Sequence, residues 1–149
     1  MEKITFDNGI KEFQINSDGV LRFNPADPNV YARFMEAAEK IEAIEANMVK
    51  SGENLSAEDG AGVIKLLAEA DQQIKDVLSW AFGKKNDFNE IMGGVNLMAT
   101  AKNGERVITN LIAALTPVLH TGAEDCANKQ IGEAVQKAQG NRAARRAKK

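Results

Sequence analysis

The change from strand to helix falls within residues 23–34, which read FNPADPNVYARF. Pro25 stops the extended segment before it, because proline cannot donate to a strand ladder. Asp27 and Pro28 then form a helix start, since the aspartate can cap free amides and proline suits the first helical position, where an amide hydrogen would have no partner. This junction predicts strands on its N-terminal side and helices on its C-terminal side.

The segment before the junction has the pattern of short antiparallel strands. Its apolar residues are interrupted by Asp7-Asn8-Gly9 and Ser17-Asp18-Gly19. Asn-Gly and Asp-Gly pairs supply the positive φ angles that tight hairpin turns need, which predicts a β-meander of three strands over residues 3–23. A sheet this small is not stable alone, so its apolar face must pack on the helices. The apolar positions are Ile4, Phe6, Ile10, Phe13, Ile15, Val20, Leu21 and Phe23.

Four helices are predicted after the junction from apolar residues at three- and four-residue spacing. Within the third, Gly93-Gly94 is expected to permit a bend or a close crossing, and Pro117 is expected to kink or end the fourth. Residues 122–149 are expected to form a weakly anchored helix and a basic tail outside a single domain over 1–121. The fold class is therefore α+β, a small N-terminal antiparallel β-meander followed by a bundle of four to five α-helices. The four helices are expected at about residues 28–50, 56–83, 87–99 and 105–119.

Composition argues against several classes of protein. The single cysteine, Cys126, allows no internal disulfide and no cysteine-clustered zinc site, and the single histidine, His120, leaves little for metal chemistry. These two residues are also the only pair of imidazole and thiol, and their six-residue spacing matches no catalytic family. The glycines form no phosphate-binding motif. We expect a protein that is not an enzyme and that needs no cofactor or metal.

Charge is divided unevenly along the 149 residues. The last eight residues carry five basic side chains and no acidic one, which leaves 14 basic against 21 acidic residues, a net charge of −7, in residues 1–141. We expect this tail to be a solvated C-terminus, with nucleic acid or an acidic partner as the alternative. No apolar run is long enough to span a membrane and no signal peptide is recognisable, which predicts a cytosolic protein without a membrane partner. The basic residues are Arg142, Arg145, Arg146, Lys148 and Lys149.

The second predicted helix carries more apolar surface near its end than one core can accept. Trp80 and Phe82 point in different directions on a helix, so both cannot face the same core. The strands, or the turn after this helix, could cover the remaining ring. Alternatively, the ring is an exposed contact for another protein, joined by methionines that adapt to varied apolar partners. The predicted partner contacts are Trp80, Phe82, Met92 and Met98.

Two stretches of the chain resemble a known family of phage proteins. The first is the junction at residues 23–34, and the second is GGVNLMATAKNGERVITNLIAALTPVL at residues 93–119. Together with the short meander and its Asn-Gly turn, they resemble small tail-cluster proteins of siphophages and prophages of Gram-positive bacteria, which are usually taken for tail assembly chaperones. The resemblance spans about residues 3–119 and does not extend beyond Leu119. Its most specific pieces are Phe23-Asn24-Pro25 with Asp27, Gly93-Gly94 with Asn96, Asn110-Leu111 and Ala114-Leu115.

This resemblance implies a noncatalytic protein of the host bacterial cytoplasm. Such a protein binds the long, hydrophobic, helical tape measure protein, or another tail protein, and keeps it soluble while the tail tube polymerises. We expect apolar grooves between helices to accept amphipathic segments of this client, with multiple copies on each client chain. Two alternative functions stay open: a phage-encoded effector that binds a host defence protein, and a nucleic-acid accessory protein that acts through the basic tail. The leftover apolar helix surface also allows the chain to form a homo-oligomer in the absence of a client.

Overall fold

The computed structural model describes residues 1–56 and 58–147. The strands come first and the helices follow, so the predicted α+β class is confirmed. The described residues form two strands, β1 (Lys11–Ile15) and β2 (Gly19–Phe23), and four helices, α1 (Pro28–Gly52), α2 (Gly60–Phe82), α3 (Phe88–Ile91) and α4 (Val107–Ala147).

The two strands form an antiparallel hairpin in which Phe13 lies opposite Leu21. The odd-numbered apolar residues of both strands face the protein interior, where the rings of Phe13 and Phe23 stack with their centroids 4.9 Å apart. Even-numbered residues face solvent, where Arg22 Nε donates to Glu12 Oε1 at 2.9 Å. This alternation gives the hairpin one apolar face, which packs on the helices.

The first of the three predicted strands does not form. Gly9 has a φ of 73°, so the predicted Asn-Gly turn is present. The chain before that turn pairs with neither strand, and the side chains of Ile4 and Phe6 are 89% and 76% exposed. The Asn24 side-chain amide donates to the Asn8 carbonyl at 3.2 Å, so the turn is held at the corner after β2 and does not close a hairpin on β1. The prediction of a three-strand meander is therefore wrong in strand number.

The starts of α1 and α2 depend on aspartate caps. The Asp27 carboxylate caps α1 and Pro28 occupies its first turn, as predicted. α2 begins at residue 60 instead of the predicted 56, because Asp59 and not Ser56 supplies the cap. Asp59 Oδ1 accepts from the Gly62 backbone N–H at 2.9 Å. The cap of α1 was predicted correctly, and the cap of α2 lies three residues after the serine at which that helix was expected to begin.

The third helix is a single turn, although the sequence predicts a helix over residues 87–99. Gly93 and Gly94 have φ values of 60° and 82°, a left-handed conformation that ends the helix. The glycine pair therefore terminates α3 instead of bending it. The loop that follows places the Leu97 side chain in the core and leads to the start of α4.

The fourth helix is longer than predicted and continues through Pro117. At about 1.5 Å per residue, its 41 residues span about 62 Å. The first half, residues 107–122, runs along α1. It extends from the Arg106–Glu45 ion pair at one end to the contact of Tyr31 with His120 at the other. Residues 123–147, the α4 extension, continue beyond the body. None of the described helices has the length and apolarity required to cross a bilayer.

One core joins the hairpin and all four helices. β2 contributes the buried Leu21 and Phe23, and the helices contribute the remainder. Four aromatic rings meet at its centre, since Phe82 contacts Phe23, Phe34 and Phe88 with centroid distances of 4.9 to 6.1 Å. The other large buried side chains are Ile41, Ile74, Leu78, Leu97, Ile108, Leu115 and Leu119.

Candidate partner-binding surfaces

Three of the four predicted partner contacts are buried. The side chains of Phe82, Met92 and Met98 all belong to the core. The ring of Phe82 lies 4.9 Å from that of Phe23 and 5.8 Å from that of Phe88, measured between centroids. The interpretation of Phe82 and Met98 as exposed contacts is therefore wrong, whereas Met92, although only 9% exposed, lines the groove described below. The hairpin and α3 cover the face of α2 that carries Phe82. Coverage by the strands was the alternative to an exposed contact.

Trp80 is the predicted contact that does reach the surface. Its side chain is 40% exposed on α2. The Lys40 ammonium lies 4.0 Å from the ring centroid, a distance typical of a cation–π contact. Beside the ring is a shallow pocket whose polar lining includes Arg33, Asp76 and Lys84. A partner could use the free part of this ring without disturbing the core.

A larger apolar groove lies between the hairpin, the loop after α3 and the first half of α4. It has a volume of about 820 Å³ and is partly open to solvent. Met92 lines it, so this methionine remains available to a ligand seated in the groove. We call this feature the hairpin groove. Its apolar lining consists of Phe13, Ile15, Phe23, Ile91, Met92, Val95, Ala101, Val107, Leu111, Ala114, Leu115 and Val118.

The groove exists because β1 is only half packed. Leu21 and Phe23 of β2 are buried against the helices, whereas Phe13 and Ile15 of β1 are half-buried over α4. At the hairpin turn, a Cβ on Gly19 would overlap the backbone carbonyl of Ile91. This close approach fixes the turn against the end of α3. The hairpin is thus held at its turn and along β2, and the space under β1 stays open.

The two edges of the hairpin differ. Arg22 N–H donates to Asn86 Oδ1 at 2.9 Å, and Asn86 Nδ2 donates to the Arg22 carbonyl at 2.8 Å. The buried Asn86 side chain therefore takes the place of a neighbouring strand beside β2. Glu12 lies opposite Arg22, whose backbone N–H and C=O point away from β1. In an antiparallel pair, opposite residues both direct these groups inward or both outward, in alternation along the strand, so the outward groups of β1 belong to Glu12 and Gln14. No backbone group elsewhere in the described residues pairs with them, so β1 has an open edge.

The candidate catalytic residues do not come together. His120 is exposed and its ring packs against that of Tyr31, with centroids 5.8 Å apart. Cys126 is half-buried and lies six residues further along the same helix, a rise of about 9 Å. Over the part of the chain that the structure describes, no group of three or more His, Cys, Asp or Glu residues could hold a metal ion.

The basic tail is helical as far as the structure describes it. Arg142, Arg145 and Arg146 are exposed on the last turns of the α4 extension. The guanidinium groups of Arg142 and Arg146 share one helix face, since they are four residues apart. The predicted tail residues Lys148 and Lys149 lie outside the described residues. The three arginines form a positive end on a helix that leaves the acidic body.

Sequence reasoning found Trp80 and the arginines and missed the hairpin groove. A usable signal was Ala114, a small residue beside Leu111 and Leu115 in the apolar stripe of α4, because small residues leave space between packed elements. A scan against models of protein families, a search of curated proteins and a search of solved structures find no match for this chain. The surfaces that bear on function are the hairpin groove, the exposed part of Trp80 and the basic end of α4.

Proposed function

We propose that this protein is a noncatalytic tail assembly chaperone of a siphophage or prophage, which binds the tape measure protein in the host bacterial cytoplasm and keeps it soluble. The observation that carries the proposal is the hairpin groove, an apolar-lined space of about 820 Å³ along α4. A hydrophobic helical client presents apolar side chains at three- and four-residue spacing, and an apolar groove is the surface that such a helix occupies. The resemblance at residues 23–34 and 93–119 favours the same client.

One side of the groove is rigid and the other sides are adaptable. Leu111 and Leu115 are fixed by the core and form the floor on α4. Met92 and the half-buried Phe13 line the other sides. Because methionine has an unbranched and flexible side chain, it adjusts to apolar residues of different shape. This combination suits a chaperone that must bind successive segments of one long client and release them without chemistry.

The charge of the chain supports a solubilising role. Residues 1–141 carry a net charge of −7, so a client coated by several copies would acquire a large negative charge and mutual repulsion. Trp80 provides a second apolar contact on α2, outside the hairpin groove. Two separate contacts on each copy allow many copies to share one client chain through avidity, even where each contact is weak.

The decisive experiment is co-expression with the tape measure protein of the same phage or prophage, followed by affinity capture and a solubility comparison. The wild type should yield a soluble, stoichiometric complex. The Ala114→Arg variant places a long charged side chain at the groove and should lower capture at least tenfold. Ala113→Arg is the matched control, because Ala113 is the adjacent exposed residue of α4 and does not line the groove. An insoluble client that is never captured, or equal behaviour of the two variants, would contradict the proposal.

A second pair of variants separates surface from core on α2. Trp80→Ser should weaken client capture and leave the protein folded with a lower melting temperature, because the ring is only partly buried. Phe82→Ser should unfold the protein, since removal of a buried aromatic ring costs about 3–5 kcal/mol. Circular dichroism melts measure both effects. Unfolding by Trp80→Ser would assign Trp80 to the core and remove it from the binding surface.

Nucleic-acid binding is the second candidate function, and the exposed arginine cluster favours it. Arg142, Arg145 and Arg146 form no ion pair with a described residue, so their charges are available to phosphates. Binding through three phosphate contacts should give a salt slope of about −3 in a plot of log K against log salt concentration on duplex DNA. Removal of residues 142–149 should abolish it. Equal affinity of the full and truncated chains would eliminate this function.

A further inference from the structure

We infer that, in the absence of a client, the hairpin groove of one copy accepts the N-terminal arm, residues 1–6, of a second copy as a strand added to the open edge of β1. The N-terminal arm and the open edge are both properties of this chain, so the inference does not rest on the proposed function. It assigns a partner, a second copy, to a surface that the described residues of one copy leave uncovered.

The arm has the alternating apolar and polar residues of a strand, but it pairs with no strand of its own copy. Ile4 and Phe6 alternate with polar residues, and both side chains are largely exposed. Alternate residues of an extended segment lie on one face, about 6.6–6.8 Å apart. Phe13 and Ile15 have the same spacing on the inner face of β1. A strand placed beside β1 with Ile4 and Phe6 on the inner face would put both side chains over the hairpin groove.

The other face of the arm also suits this position. With Ile4 directed inward, Lys3 and Thr5 face solvent, on the same side as Glu12 and Gln14 of β1. In the parallel register, which sets Ile4 beside Phe13 and Phe6 beside Ile15, Lys3 lies beside Glu12 and gives opposite charges across the new strand pair, whereas the antiparallel register would set Asp7 against Glu12. β2 does not accept the strand in the same way, because Asn86 already bonds the outward backbone groups of Arg22. The hairpin therefore offers one acceptor edge, and the groove lies beneath it.

The arm is directed to a second copy by the turn that precedes β1. Asp7 Oδ1 accepts from Gly9 N–H at 2.8 Å, Asn8 Oδ1 accepts from Ile10 N–H at 3.2 Å, and Asn24 Nδ2 donates to the Asn8 carbonyl. Folding the arm back on its own β1 would require this anchored turn to rearrange. An arm from another copy leaves all three bonds in place. Each copy also has one arm and one edge, so two copies can exchange arms reciprocally in a closed dimer.

Disulfide trapping tests the exchange directly. All variants carry Cys126→Ala, which removes the single native cysteine. One tagged chain carries Phe6→Cys, and a second, differently tagged chain carries Ala114→Cys in the groove. Mild oxidation of the mixture should give a disulfide-linked heterodimer. Thr5→Cys in place of Phe6→Cys is the matched control, because Thr5 is on the opposite face of the arm, and its yield should be at least tenfold lower.

Sedimentation equilibrium provides the second measurement. The wild-type chain should show a concentration-dependent dimer, and the double variant Ile4→Ser/Phe6→Ser should raise the dissociation constant at least tenfold. Both residues are exposed in the single copy, so circular dichroism should show an unchanged fold. Three outcomes would overturn the inference: a monomer at all concentrations with no heterodimer, equal trapping by Phe6→Cys and Thr5→Cys, or a disulfide formed only within one chain that carries both Phe6→Cys and Ala114→Cys.

Discussion

The two halves of α4 belong to one continuous helix and have opposite environments. In the first half, which runs along α1, an apolar residue at every third or fourth position is buried in the core. In the α4 extension, Ile131 and Val135 are the large apolar residues, and both are exposed, Ile131 by 62%. The buried residues of the first half are Ile108, Leu111, Leu115 and Leu119.

The difference shows that a segment can be helical without contributing to the stability of the core. The extension is rich in Ala, Gln, Glu, Lys and Arg, which have high intrinsic helix propensity. Once the first half is fixed by packing, each further residue adds one hydrogen bond without the cost of a new nucleus. The extension is thus helical through propagation, and the stability of the body depends on the first half. Its exposed apolar residues are then free to take part in association.

The largest expected contrast comes from truncating one apolar side chain in each half. Leu119→Ala should lower the free energy of unfolding by about 2–5 kcal/mol, because Leu119 is fully buried. Ile131→Ala should change it by less than about 0.5 kcal/mol, because Ile131 touches little beyond its own helix. Urea denaturation measures both values. Similar losses for the two variants would mean that the extension is packed in solution, either on the body or on a second copy.

The boundary between the halves should be sensitive to a single methyl group. A Cβ on Gly122 would overlap the Pro25 carbonyl, where α4 passes the strand-to-helix corner. Gly122→Ala should therefore destabilise the protein by about 1–3 kcal/mol through overpacking. Gly132→Ala is the control in the extension, because a Cβ there meets no other atom within 4 Å. This control should increase helix content. A neutral Gly122→Ala would place α4 further from the corner.

The local features of the fold could be predicted well from the sequence. Aspartate caps, the proline at the start of α1 and the Asn8-Gly9 turn all follow from short-range chemistry, which acts within about four residues. The apolar stripes of α1, α2 and the first half of α4 were recognisable for a similar reason, since helical periodicity records which face is buried. Such features need no knowledge of the partner element, and the α+β class follows from their order.

The errors arose where the outcome depends on a distant contact. Residues 3–6 have strand periodicity, yet the anchoring of Asn8 by Asn24 joins parts of the chain sixteen residues apart. The burial of Phe82 depends on Phe23, which comes from a different element. Nothing in the local pattern specifies either contact. The same limit explains why Trp80 was found as a surface residue by helical geometry, whereas the hairpin groove, built from three elements, was not.

The smallest expected effect is on the stability of a chain that ends at Asn128. This truncation removes 19 of the 41 described residues of α4, yet the free energy of unfolding should change by less than about 0.5 kcal/mol, because the described side chains it removes are exposed. Circular dichroism should record the lost helix while the urea midpoint stays constant. A chain that ends at Ala114 is the contrasting control, since it also loses the buried Leu115 and Leu119 and should not fold. A marked loss of stability in the longer chain would show that the extension contributes to the body, and the division of α4 into a packed and an unpacked half would then fail.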